Sequence, residues 1–134
     1  MIVGIGNDLC NISRIEKILQ HNSQGLIRRL FSSAEQKELK SLPNKSLKEQ
    51  AHTIAKRFAA KEACSKALGT GFAQGTYFKD IQIYHHSSGQ PYITLSGGAL
   101  ANLHKKVAHQ KFLCHLSISD DYPWAQAFVI IETN

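Results

Sequence analysis

Apolar and polar positions alternate along this chain with two different periods, and the change of period divides it into a helical first half and a strand-rich second half. Residues 2–7 read as a first strand with Asp8 at its exit. Gly4 and Gly6 remove side chains there, which lets another backbone or a ligand approach. Ser13-Arg14-Ile15-Glu16 has the form of a capping box, with a helical stretch after it to about Gln20. Ser32-Ser33-Ala34-Glu35 is a second such box and opens a short polar helix to about Leu42, broken by Pro43-Asn44. The longest helix is predicted from Ser46 or Leu47 to Leu68, with Gly69 as its stop. Beyond it, Ile81–Tyr84 and Pro91–Leu95 read as a hairpin around Ser87-Ser88-Gly89-Gln90. Ser96–Gln110 reads as an amphipathic helix with Leu100, Leu103 and Val107 on one face. Residues 112–119 and 125–132 alternate strongly about Asp120-Asp121-Tyr122-Pro123 and predict a terminal hairpin. Helices mixed with adjacent antiparallel strands predict an α+β fold rather than a doubly wound sheet.

A chain of 134 residues is long enough for one domain with its own core, so residues 1–134 are expected to form a single domain. No apolar run approaches the roughly 20 residues that span a bilayer. Met1–Asp8 has no basic region before its short apolar stretch, which argues against a secretory signal and for a cytoplasmic protein. The 3 cysteines, Cys10, Cys64 and Cys114, form no CxxC pair and are expected as reduced, mostly buried thiols. The 7 histidines include His85-His86 and His104, His109 and His115, at spacings that match no zinc module, and most are read as surface residues. The net charge of +6 attracts polyanions: nucleic acid, acidic proteins or phosphorylated metabolites.

Candidate chemistry concentrates on the long helix. At about 100° per residue, Arg57 and Lys61 share one stripe, and Glu62 and Lys66 the stripe beside it. Ala59, Ala60, Ala63, Cys64 and Ala67 lie opposite, small enough for another backbone to come close. One carboxylate among three cations in a deeply packed helix calls for a counter-charge, and a phosphate ester with a divalent metal would supply it. Mg²⁺ takes one or two carboxylates together with phosphate oxygens and waters. Asp8 and Glu62, from separate elements, match that need, although a turn aspartate and an i,i+4 pair of Glu62 with Lys66 are the simpler readings of each. Gly4-Ile5-Gly6 lacks the third glycine of a dinucleotide fingerprint. His115, Ser117 and Ser119 share one face of an extended strand, to line a cleft or to face solvent.

Gly4-Ile5-Gly6-x-Asp8, Arg14-Ile15, Arg57-Phe58-Ala59-Ala60-Lys61-Glu62-Ala63 through Lys66-Ala67-Leu68-Gly69-Thr70-Gly71, and His115-x-Ser117-x-Ser119 together resemble the holo-[acyl-carrier-protein] synthase family, the small bacterial 4′-phosphopantetheinyl transferases of fatty acid synthesis. The resemblance runs from residue 2 to about 132. It implies an antiparallel sheet packed around a long central helix, and transfer of the phosphopantetheine arm of coenzyme A to a serine of apo-acyl carrier protein. Asp8 and Glu62 would hold Mg²⁺ against the diphosphate, and Lys66 would offset charge on the leaving group. Arg57 and Lys61 would bind the nucleotide part, with His115 and Ser117 nearby and Gly69, Thr70 and Gly71 shaping the pocket wall. Glu62 or a water on the metal would take the serine proton. The family implies a homotrimer with sites between subunits. Arg14, Lys17 and Arg28-Arg29 would meet an acidic carrier protein.

Two competing readings remain at this level. A small basic binding module needs basic residues interleaved with exposed aromatics. Here the basic residues are scattered, and Phe58, Phe72, Phe78 and Phe112 sit in apolar patterns, so neither nucleic acid nor membrane is expected as a partner. Transferases that serve secondary metabolism are about twice this length with two pseudo-repeats, and no repeat is present.

Overall fold

The computed structural model describes residues 1–43 and 46–134. The order of elements is β1 (Ile2–Asn11), α1 (Ile12–Leu30), α2 (Ser33–Ser41), α3 (Leu47–Leu68), β2 (Ile81–His85), β3 (Pro91–Leu95), α4 (Gly97–Lys106), β4 (Phe112–Asp121) and β5 (Trp124–Thr133). A single 3-10 turn, Phe78–Asp80, precedes β2. The fold is α+β, with the antiparallel sheet β1-β5-β4 laid on α3 and the hairpin β2-β3 beside it.

α3 forms where capping and composition agree. The Ser46 side chain accepts from the Glu49 N–H, alanine dominates the interior, and Gly69 ends the helix at φ 82°. Alanines and charged residues alike are buried, so the helix is enclosed on nearly every side rather than amphipathic. β1 reaches it because two side chains are missing. A Cβ on Gly6 would lie 1.7 Å from the Ala63 carbonyl oxygen, and one on Gly4 would lie 1.9 Å from that of Ala67. Strand and helix therefore meet backbone to backbone.

β5 alternates cleanly. Ala125, Ala127, Val129 and Ile131 are buried toward α3, while Trp124 and Phe128 are exposed on the other side. Ile5, Leu9 and Leu113 share that outer exposure, so the far face of the sheet carries a row of uncovered apolar side chains.

The first strand and first helix differ from expectation. β1 continues to Asn11, so Asp8 lies inside the strand and not at its exit. The cap of α1 is Asn11 rather than Ser13: its Oδ1 accepts from the Ser13 N–H at 2.9 Å and from the Ser13 hydroxyl at 2.6 Å. The helix does not end at Gln20. It kinks at Asn22 (φ −155°), whose Oδ1 accepts from the Gly25 N–H at 3.0 Å and so caps a second stretch to Leu30. The Ser32 capping box, α3 and both hairpins stand where they were expected, and α4 is four residues shorter at its end than the predicted Gln110. Of the expected break at Pro43-Asn44, Asn44 lies outside the described residues.

Gly6→Ala is expected to lower stability by about 3 kcal/mol or more, since backbone atoms must separate to admit the methyl group. Urea unfolding of both chains checks this. A variant as stable as the parent would mean that β1 and α3 are not in contact at this point.

Candidate active site

Asp8 lies on the face of β1 that meets α3, two residues beyond Gly6, and α3 carries Glu62 and Lys66 past it. Lys66 Nζ donates to Asp8 Oδ1 at 3.1 Å and to the Asn7 carbonyl at 2.9 Å. Asp8 and Glu62 open into one cleft of about 420 Å³, walled by Cys10, Arg14, Ile15, Arg29, Phe58 and Phe78. Burial raises the pKa of Glu62, and the Asp8 charge raises it further, while Lys66 opposes both. The Cys10 thiol is pushed up to about 11, chiefly by burial and then by Asp8, so it stays protonated and is no nucleophile.

Two like charges forced together at a cleft floor are the electrostatics that a divalent cation relieves. The donors are carboxylate oxygens, which suit Mg²⁺. Among the described residues no group of three or more His, Cys, Asp or Glu could hold a metal alone. A cation on Asp8 and Glu62 would therefore need further oxygens from water or substrate.

The need for an external anion fails for Arg57 and Lys61, two of the three cations that flank Glu62 on α3. Arg57, 3% exposed, is neutralised within the chain by Glu38, with Nη2 donating to Oε1 at 3.0 Å. Lys61, 0% exposed, donates to Glu35 Oε1 at 2.8 Å and to the carbonyls of Phe78 and Ile81. Burial lowers its pKa, and Glu35 opposes that shift. Neither cation lines the cleft, and Lys61 has no surface to offer a nucleotide. Within one chain both cations are thus occupied by internal partners, away from Asp8 and Glu62.

Gly69, Thr70 and Gly71 form the turn after α3 but do not line the cleft. His115 and Ser117 stand on the outer face of β4, paired across to Ile130 and Phe128, whereas Asp8 pairs with the inward Ala127. His115 Nε2 lies 2.9 Å from Glu132 Oε1. Within one chain the sheet itself separates them from Glu62. Of the basic residues of α1, Arg14 and Arg29 reach the cleft, while Lys17 and Arg28 are exposed on the helix and do not line it.

A family model described as the 4′-phosphopantetheinyl transferase superfamily matches residues 4–127. A holo-[acyl-carrier-protein] synthase of Bartonella bacilliformis is 50% identical over 134 residues, spanning 98% of this chain and 96% of the relative. The chain belongs to the 4′-phosphopantetheinyl transferase superfamily. The synthase of Mesorhizobium japonicum is 47% identical over 133 residues, spanning 98% of this chain and 93% of the relative. The crystal structure of the Neisseria meningitidis synthase superposes with a TM-score of 0.83 at 32% identity, over 99% of this chain and 100% of that one. The Helicobacter pylori synthase, solved in complex with coenzyme A, gives 0.76 at 32% identity, over 96% and 99%.

Sequence reasoning about this superfamily member missed Glu35 and Glu38 as counter-ions and Phe78 as a cleft wall. Only the capping box drew attention to Glu35, and it revealed one of three roles.

Glu62 binds its proton more tightly when folded than when unfolded. Stability of the metal-free chain therefore falls as pH rises through the ordinary glutamate range to the raised value. Glu62→Gln is expected to remove that fall. Urea midpoints of both chains between about pH 4 and about pH 8, without divalent metal, test it. Parallel curves for the two would contradict the raised pKa of Glu62, to which burial contributes first and the Asp8 charge second.

Proposed function

We propose that this chain transfers the 4′-phosphopantetheine group of coenzyme A to a serine of apo-acyl carrier protein. The serine oxygen forms a bond to the phosphorus that bears the arm. The bond to the bridging oxygen breaks, the serine proton leaves, and adenosine 3′,5′-bisphosphate departs. The observation that carries the reading is Asp8, Glu62 and Lys66 meeting at one cleft floor in a chain half identical to a holo-[acyl-carrier-protein] synthase.

Asp8 and Glu62 would hold Mg²⁺ against the diphosphate, where the cation would neutralise charge on the leaving group. The Lys66 side chain is half exposed and its ammonium donates to Asp8 and the Asn7 carbonyl of β1, so it can turn to a phosphate oxygen without disturbing the core. Such transfer requires positioning and charge neutralisation, and no covalent intermediate with the protein. Arg14 and Arg29, at the rim of the cleft, suit an acidic carrier, with Lys17 and Arg28 further along α1 adding to the field. The carrier is read as that of fatty acid synthesis. Residues 1–134 are read as one 4′-phosphopantetheinyl transferase domain. Three free thiols fit a cytoplasmic location, and no helix among the described residues is long and apolar enough to cross a membrane.

The chain is read as a homotrimer with its sites between subunits. Exposed Ile5, Leu9, Leu113 and Phe128 on the sheet's outer face support this. So does the position of His115 and Ser117, which can serve a site with an Asp8 only if that Asp8 belongs to a neighbouring copy. In this reading Arg57 and Lys61 brace the fold and do not bind coenzyme A.

Intact mass spectrometry of apo-acyl carrier protein, incubated with this chain, coenzyme A and Mg²⁺, tests the reaction. One phosphopantetheine is expected to be added, with none added by Glu62→Gln or Asp8→Ala or without metal. No gain with several carrier proteins from a folded sample would refute the reading. The shared site has its own test. Asp8→Ala and His115→Ala chains, each impaired alone, are expected to regain part of the activity when unfolded and refolded together. No gain on mixing would place each site within one chain.

A further inference from the structure

Polar bonds, and not apolar packing alone, set the distance of α2 from its neighbours. Glu35 meets Lys61 and Glu38 meets Arg57, and Gln36 Nε2 donates to the Phe31 carbonyl at 2.9 Å. Fixed in this way, α2 and the residue that ends it leave Leu39 and Leu42 facing a space that they do not fill. A cavity of about 260 Å³ lies between α1, α2 and α3, walled by Ile27, Leu39, Leu42 and Ile54. Gln36, Lys40 and Gln50 bring polar groups to it.

The charge at this cavity has one sign. Lys40 is exposed, and among the described residues no ion pair or hydrogen bond engages its ammonium. No Asp or Glu among the described residues lines the space. The two nearest carboxylates of α2, Glu35 and Glu38, are committed to Lys61 and Arg57. The cavity is also separate from the Asp8–Glu62 cleft. Ile27 walls it, whereas Leu26 and Leu30 of the same stretch of α1 line the cleft, and the two spaces share no lining residue.

We infer that this cavity is a binding site for a fatty acid of medium length, with the acyl chain between the helices and the carboxylate at Lys40. Ligand sites of this kind are apolar with a few placed polar groups, which is the composition of this wall. An apolar cavity of about 150 Å³ holds benzene, so the space here takes a chain of about ten carbons. One free ammonium suits one carboxylate, and the half-buried Gln50 carboxamide can donate to its second oxygen. A nucleotide or diphosphate calls for several cations, which this wall does not offer. An acyl group held as a thioester carries no charge for Lys40 to meet, so the free acid is the form that fits. The bonds that fix α2 keep the space formed before the ligand arrives, so little ordering opposes entry.

Calorimetry of the full chain with octanoate, decanoate and dodecanoate, each below its micelle concentration, tests the site. Affinity is expected to rise by about threefold for each added methylene up to about ten carbons and then to level off. Lys40→Glu is expected to weaken decanoate by about tenfold and to bind decylammonium instead. Lys40 is exposed and makes no bond among the described residues, so this variant keeps the fold. The wild-type chain by itself supplies a second comparison, since it is expected to bind decanoate more tightly than decanol. Methyl NMR locates the ligand: shifts are expected at Ile27, Leu39 and Ile54, and none at Ile15 and Ile18 of the cleft. No binding of decanoate, equal binding of decanol, or shifts confined to the cleft or to the outer face of the sheet would overturn the assignment. None of these readouts involves coenzyme A or a carrier protein, so the site stands or falls independently of the transfer reaction.

Discussion

The absence of two side chains controls the geometry on which the rest of the molecule depends. Gly4 and Gly6 let β1 lie directly on α3, opposite Ala67 and Ala63. Every strand of the main sheet takes its position from that contact, because β5 pairs with β1 and β4 with β5. Asp8 follows Gly6 by two residues and so faces the same way. It is thereby carried to Lys66 and placed in one cleft with Glu62, at a separation set by backbones and not by flexible side chains. A methyl group at either glycine would push the carboxylates apart before it touched either of them. The close packing of β1 on α3 and the chemistry of the site are one constraint.

A second constraint holds the other side of α3. Glu35 accepts from the Ser32 and Ile83 N–H groups and from Lys61, and Lys61 donates further to two carbonyls. A buried ion pair is weak evidence of net stability, since desolvation opposes the attraction, but breaking one partner leaves an uncompensated charge and costs about 3–5 kcal/mol. The pair ties α2, α3 and β2 at one point. Through the Phe78 carbonyl it also fixes the ring that walls the cleft. Residues 61 and 62 thus divide the work: Lys61 turns inward and holds the frame, while Glu62 faces the cleft.

Local signals were legible in the sequence, and distant ones were not. The Ser32 box, the Ser46 start and the Gly69 stop all act within a turn of chain, and each was readable. The strands were readable by their period of two. The box at Ser13 misled because Asn11, two residues earlier, offers a carboxamide oxygen that satisfies the Ser13 N–H and hydroxyl together. The halt at Gln20 marked a real break, but the restart depends on Asn22 capping its own neighbour, which reads as a loop in a run of polar residues. The internal partners of Arg57 and Lys61 escaped the sequence for another reason. Their partners lie 19 and 26 residues away, and no periodicity reports a contact at that range. A charge on a helix can be counted from sequence. Whether the chain already supplies its counter-charge cannot.

Strand alternation also sets a limit on what one copy can do. Neighbouring positions of a strand face opposite sides of a sheet, and no rotamer carries a side chain through it. Asp8 stands on the side of Ala127, and His115 and Ser117 stand on the side of Phe128. A site that used both groups would have to be built from two copies, with the outer face of one sheet turned toward the cleft of the next. The apolar row of Ile5, Leu9, Leu113 and Phe128 gives that face a reason to be covered, because burying it removes hydrocarbon from water. The same outward alternation that places His115 out of reach of its own Glu62 therefore also supplies the surface that would bring it to a neighbour's.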